Sequence, residues 1–380
     1  MTRKSQNSSK IILLLLSFPI LFSSPDSATA DDTDKVKNAS SFLESLPKKV
    51  GSGAKERSVT YQVKQVVRLD QIPEGSKHVR MWISIPSDEA NQRLMAFDVT
   101  SAPGMWSIVE DEDRRGHFLR VDVSEPKSDF VETEVTFTVR RNPVHVAIKA
   151  KDAGILNTGL KGLLAEHLAQ DAPHMEVTPE VKKIADEVCG DEQNVALQAV
   201  LLLQHVAGTV DHYSYSKDPN MPNCGIGDSA ICRKQGGGCC TDLNSYFISL
   251  ARARGIPARL NMGYRLQEKN LDKLVDPGYR CWVEYFVPNY GWLSADVVEA
   301  DAPGGLGQDR WFSGLTARRV WLNSGREFKF DGMGAKERIN HMNIAYAEID
   351  GKPARVLPEG KFPSQITRKV LFTEFDTPIN

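Results

Sequence analysis

The sequence predicts an α+β protein in two parts. A small antiparallel β-sandwich comes first, followed by a larger unit of helices and strands built around a cysteine at a helix start. Three observations carry this. From Ser58 to about Arg141 apolar and polar residues alternate with period two. After Pro143 the spacing changes to three and four. Then "GGGCCTDLNSYFISLARARGIPAR", from Gly236 to Arg259, carries two adjacent cysteines out of a glycine turn into an amphipathic run.

The chain begins with a segment of another kind. Arg3, Lys4 and Lys10 precede the apolar run Ile11 to Phe22, and Ala28-Thr29-Ala30 has the small-x-small pattern of a signal-peptidase site. The run is broken by Pro19 and is too short to span a bilayer core of about 30 Å. Residues 1–30 are therefore expected to be a cleaved secretory signal, with the mature chain secreted or periplasmic and making no membrane contact afterwards. Residues 31–57, with "KNASS", "LPKK" and "GSGAKERS", look like a flexible linker. The formal net charge of −2, or −4 without the signal, comes with no Lys/Arg-rich stripe. That excludes nucleic acid and an anionic membrane surface as expected partners.

The sandwich is expected over 58–142. "SVTYQVKQVV", "HVRMWISIP", "FLRVDVS" and "FVETEVTFTVRR" are its strands, and Val131, Val135, Phe137 and Val139 line one face of the last. The second unit is expected over 143–352, with 353–380 as a C-terminal tail. "LKGLLAEHLA", "EVKKIADEVC" and the longer "DEQNVALQAVLLLQHVAGTV" read as helices. There is no GxxxxGK[ST], HExxH or GxSxG, so phosphate-loop, zincin and serine-hydrolase chemistry have no foothold. Cys224, Cys232, Cys239 and Cys240 crowd one segment but lack the C-x2-C pairs that present thiolates to zinc. No metal and no cofactor is expected.

Leu243, Tyr246, Phe247, Leu250 and Ala251 fall three and four apart, so a helix over Thr241 to Arg254 buries one face. Cys240 stands at its first turn, where unpaired N–H groups and the dipole favour a thiolate. Cys239 is still in the glycine turn, and Asp242 can accept from the free amides. Cys240 is the candidate nucleophile.

This stretch resembles the core of the transglutaminase-like superfamily, papain-like cysteine enzymes with a G-x-C-x-D motif before an "ALARAxGIPAR" segment. "GYRCWVEYFVPNYGWLSADVVEAD" is similar to the family's HxWxExY…GWxxxD block, and "RVWLNSGREF…AYAEIDGK" to its closing strands. The resemblance covers roughly Asn223 to Lys352. It implies a papain-like transglutaminase core acting on a protein or peptide substrate, with Cys240 as nucleophile, Asp296 as the triad aspartate, and Trp282 and Asp242 beside the substrate.

The family's histidine position is held by Arg280, and Asn244 stands where some bacterial relatives carry histidine. Arginine stays protonated, so Arg280 cannot be a general base. Its charge is expected to hold Cys240 as a thiolate and to pair with Asp296. His212 and His341 have no spacing that aims an imidazole at Cys240. On the Arg280 strand, Cys281 is expected to point away from Cys240. Two functions follow: a cysteine acyltransferase or amide hydrolase of impaired or altered activity, or a catalytically inactive protein- or peptide-binding module.

Overall fold

A computed structural model describes residues 30–46, 57–221, 226–303, 307–343, 345–354 and 365–375. The expected signal peptide lies outside the described residues except for its last position.

The alternating segments form two antiparallel sheets facing each other. The first runs in the order Ile366–Phe375, Val59–Leu69, Val131–Arg141, Gln92–Ser101. The second runs Lys352–Pro353, Ala345–Ile349, His78–Ile85, His117–Ser124, Met105–Glu110. Val63 opposite Phe137 and Met81 opposite Val121 put buried side chains on the inner faces. Gln92–Ser101 and Met105–Glu110 were not foreseen, because most of their residues are exposed and the alternation is weak.

The chain's end departs from the expected division at 142 and 352. Ala345–Ile349 pairs with His78–Ile85, from Ala345 opposite Ile83 to Ile349 opposite Val79. Ile366–Phe375, expected as tail, pairs with Val59–Leu69 along ten consecutive positions. Ile366, Arg368, Val370 and Phe372 are buried in alternation with more exposed neighbours, the period-two signal of a strand with one packed face. The sandwich is thus discontinuous, closed by the far end of the chain.

The expected linker is also corrected. Residues Ala30–Ser45 form a helix, and 47–56 lie outside the described residues. Ala39, Leu43 and Leu46 recur at helical spacing and are buried in the core of the second unit, and Phe42 meets Phe312 edge-on at 5.7 Å. "LKGLLAEHLA" gives only a short helix, Thr158–Leu163, and a 3-10 turn, Ala165–Leu168; neither buries a residue. A helix with two glycines and no packed face has little to hold it beyond one turn.

At the centre of the second unit is the helix Cys240–Ala253, buried at every position from Cys240 to Arg252. Helices Pro179–Cys189, Val195–Thr209 and Ser229–Gln235 pack around it. A four-stranded sheet in the order Gly291–Ala295, Arg280–Val287, Ala258–Arg265, Arg319–Ser324 supports it. The helix entry is threaded against a second backbone. Gly237 and Gly238 run parallel to Asp211 and His212, and a Cβ on Gly237 would lie 2.1 Å from the Asp211 carbonyl oxygen. Only glycine permits that approach.

Candidate active site

Cys239 caps the helix and Cys240 is its first residue. The Asp242 carboxylate accepts from the Cys239 N–H at 2.9 Å, fixing the helix start. Asp242 is 3% exposed and used by this cap, so it does not face an incoming substrate. Asn244 donates to the carbonyls of Cys240 at 2.7 Å and Cys281 at 3.3 Å, tying the first turn to the sheet.

Cys281 corrects the expectation that it points away. Alternation along Arg280–Val287 holds: Cys281, Val283 and Tyr285 share one face and Arg280, Trp282 and Glu284 the other. It is the Cys281 face that packs on the cysteine helix. Thr241 Oγ1 lies 3.3 Å from Cys281 Sγ and 3.2 Å from Tyr279 Oη, and Cys239 Sγ lies 3.6 Å from Tyr279 Oη. The Cys240 thiol hydrogen-bonds with Cys239 and Cys281. None of the five described cysteines is in a disulfide; Cys224 lies outside the described residues.

The expected thiolate does not follow from this setting. The hydrogen bond with Cys239 pulls the Cys240 pKa down and the Arg280 charge helps. The bond with Cys281 and burial outweigh them and hold the thiol well above its ordinary value. Only 4% of Cys240 is exposed. Taken out of water, a thiolate loses more than a helix end and a cation already paired with carboxylates return.

The Arg280 charge is largely spent elsewhere. Its Nη2 donates to Glu299 and its Nε lies 3.6 Å from Asp296 Oδ2. Arg319 Nη2 donates to Asp296 at 2.7 Å and lies 3.4 Å from Glu299, while Arg265 reaches Glu299 at 2.6 Å. Burial alone would lower the Arg280 pKa, but Asp296, Cys240 and Glu299 raise it. Burial alone would raise that of Asp296, but Arg280 and Arg319 hold it below the usual carboxylate range. Asp296 also caps the helix Val297–Asp301, accepting from Glu299 N at 3.1 Å. The pairing of Arg280 with Asp296 thus sits in a buried cluster with Arg265, Arg319 and Glu299, which sequence reasoning missed. Its one local signal is Glu299, three residues after Asp296; Arg265 and Arg319 meet only through strand register.

Trp282, 2% exposed, shares the Arg280 face of the strand and lines a cavity that does not include Cys240. His212 is nearer than its spacing suggested. It pairs with Gly238, and the charges of Arg280 and Asp296 reach it. Its Nδ1 is 2.8 Å from Ser214 Oγ and accepts from the Ser214 N–H at 3.3 Å. His341 stacks on Tyr279 with ring centroids 6.3 Å apart. Among the described residues no group of three or more His, Cys, Asp and Glu is placed to hold a metal ion.

Burial comes first in pushing His167, His212 and His341 each down to about 4. The unfolded chain takes up these protons near pH 6.5, the folded chain only near 4, so the unfolded state binds more protons in between. The stability they contribute is complete above about pH 6.5 and falls as pH drops towards 4, by up to about 1.4 kcal/mol per pH unit for each histidine. Urea unfolding from pH 7.5 to 5 should show this decline, and His212→Asn should reduce its slope.

Residues 182–297 match the transglutaminase-like superfamily. This segment is a transglutaminase-like core. A solved structure of a candidate cysteine protease from Cytophaga hutchinsonii superposes with a TM-score of 0.53, at 16% identity over 85% of this chain and 93% of that one. It supports the same α+β fold, helices and antiparallel strands around a papain-like core, for the greater part of the chain. Red sea bream transglutaminase aligns at a TM-score of 0.29 and 11% identity, over 62% of this chain and 48% of that one. An uncharacterised protein of Haemophilus influenzae is 28% identical over 230 residues, 52% of this chain; the match spans 61% of that relative's length. Among the described residues no helix is long and apolar enough to cross a membrane.

Proposed function

We propose that the chain is a secreted transglutaminase-like protein whose Cys240 site has lost efficient acyl transfer, and that it binds protein or peptide segments rather than turning them over. One observation carries this. At the strand position of the family's histidine stands Arg280, held by Asp296 and Glu299, beside a Cys240 thiol that is buried with its pKa raised. Acyl transfer by a thiol needs a group that takes its proton and returns one to the leaving amine. Arginine stays protonated and does neither. Losing such a member of a catalytic triad costs about 10⁴ to 10⁶ in rate.

A second reading, residual cysteine catalysis, is favoured by His212. It is a buried imidazole opposite Gly238, within the field of Arg280 and Asp296. Incorporation of a labelled amine into a glutamine-donor peptide separates the two when wild type, Cys240→Ala and His212→Ala are compared. The binding reading predicts the same background in all three. Incorporation that requires both Cys240 and His212 would carry the second reading instead.

A further inference from the structure

The face of the core sheet that carries Trp282 and Glu284, opposite the Val283 and Tyr285 that pack with the cysteine helix, borders a cavity of about 630 Å³. The sandwich turns at 89–91 and 113–115 and the segment 166–175 complete its walls. Its volume is that of a small-molecule site.

Buried arginines converge on it. Among the described residues Arg252, 4% exposed, donates only to the carbonyls of Ala258, at 2.9 and 3.3 Å, and Ala169, at 3.0 Å. Arg326, 3% exposed, donates to the carbonyls of Gly227 and Ile226, to Ser245 Oγ and to Asn340 Oδ1. Neither has a carboxylate within ion-pair distance among the described residues. Arg115 is bound to Asp113 through Nη2 at 2.5 Å, and its buried Nε and Nη1 have no hydrogen-bond partner among the described residues. Glu166, 67% exposed, is 4.0 Å from that Nε. After burial, the charges of Arg259, Arg252 and Arg115 are what lower the pKa of His167, which shares the cavity. A buried cation met only by neutral acceptors is undercompensated, and an anion beside it recovers part of the lost hydration.

Three tryptophans, Trp282, Trp292 and Trp321, also line the cavity. Trp292 carries Arg259 over its ring at 4.3 Å. Arg259 is itself paired with Glu284 through two nitrogens, each at 2.7 Å, so its charge is already matched. The positive charge without a carboxylate at ion-pair distance lies with Arg252 and Arg326, and Arg115, though paired with Asp113, adds two buried N–H groups without a hydrogen-bond partner among the described residues.

We propose that this cavity binds a small carboxylate, with the anion drawn to the Arg115–Arg252 side and its ring or apolar body against Trp282 and Trp292. The site is separate from Cys240, so it stands whether or not that thiol turns over. The carboxylate could belong to a peptide or to an acidic sugar, and paired ligands distinguish the two.

Calorimetric titration of the full chain at low salt tests this with N-acetyl-L-phenylalanine against its amide, and D-glucuronate against D-glucose. In at least one pair the acid should bind tenfold or more tightly than its neutral counterpart, and that pair identifies the source. Arg115→Met should bring the ratio close to one, and Trp292→Ala should weaken acid and neutral ligand together. No preference for either acid in the wild type overturns the proposal, as does a preference that survives Arg115→Met. The wild-type comparison decides the matter if a variant does not fold.

Discussion

Asp296→Asn should cost about 3–5 kcal/mol of stability, the range for breaking a buried ion pair from one side. Asparagine keeps the shape and caps a helix as well as aspartate does, so the cap on Val297–Asp301 survives. What changes is charge. Arg265, Arg280 and Arg319 now face Asp296 and Glu299; the substitution leaves them Glu299 alone. Arg319 is buried and the Arg280 side chain is only 11% exposed, so little water can replace the lost carboxylate. Thermal unfolding should show Tm lower by about 4–7 °C, and urea unfolding a lower midpoint at unchanged slope. A loss below about 1 kcal/mol would mean that the cluster is not held by charge.

The same charge balance makes Arg280→His tolerable. Its removal leaves two arginines against two carboxylates, so the fold should lose far less than with Asp296→Asn. It places an imidazole on the strand beside Asp296, the arrangement that orients a general base. The single change should still yield little acyl transfer, because the bond with Cys281 and burial both oppose the Cys240 thiolate. Arg280→His with Cys281→Ala removes one of these and opens space at the thiol. That pair should gain at least about a hundredfold over the wild-type background, well short of the 10⁴ or more a complete triad supplies, since an imidazole misplaced by about 1 Å loses two orders of magnitude. Amine incorporation into a glutamine donor measures it, and the gain should vanish with Cys240→Ala. High wild-type turnover that Arg280→His abolishes would instead make Arg280 a working residue.

What could be read from the sequence was local. Leu243, Tyr246, Phe247 and Leu250 placed Cys240 at the first turn of a buried helix because helical spacing is written within a few residues. The alternation of Arg280 and Trp282 against Cys281 was equally legible. Which face packs on the helix was not, since that depends on the partner, and this put Cys281 on the wrong side. Arg319 comes to Arg265 and Asp296 through strand pairing and burial, which no local pattern records. Ile366–Phe375 carried a clear period of two, yet its partner Val59–Leu69 lies some three hundred residues away. The thiol's pKa was misjudged for a related reason. The helix end and the cation are visible in the sequence, whereas the burial that outweighs them belongs to the fold.

The most direct test of the Cys240 account is its alkylation rate as a function of pH. Mature protein is treated with iodoacetamide from pH 5 to 9, native and in denaturant, and Cys240 is followed by peptide mapping. A buried, protonated thiol should react in the native chain at least about a hundredfold more slowly than in the unfolded chain, whose thiol ionises near pH 8.5, with no native inflection below that value. Fast native labelling of Cys240 with an inflection at or below pH 7 would show a reactive thiolate and contradict the account.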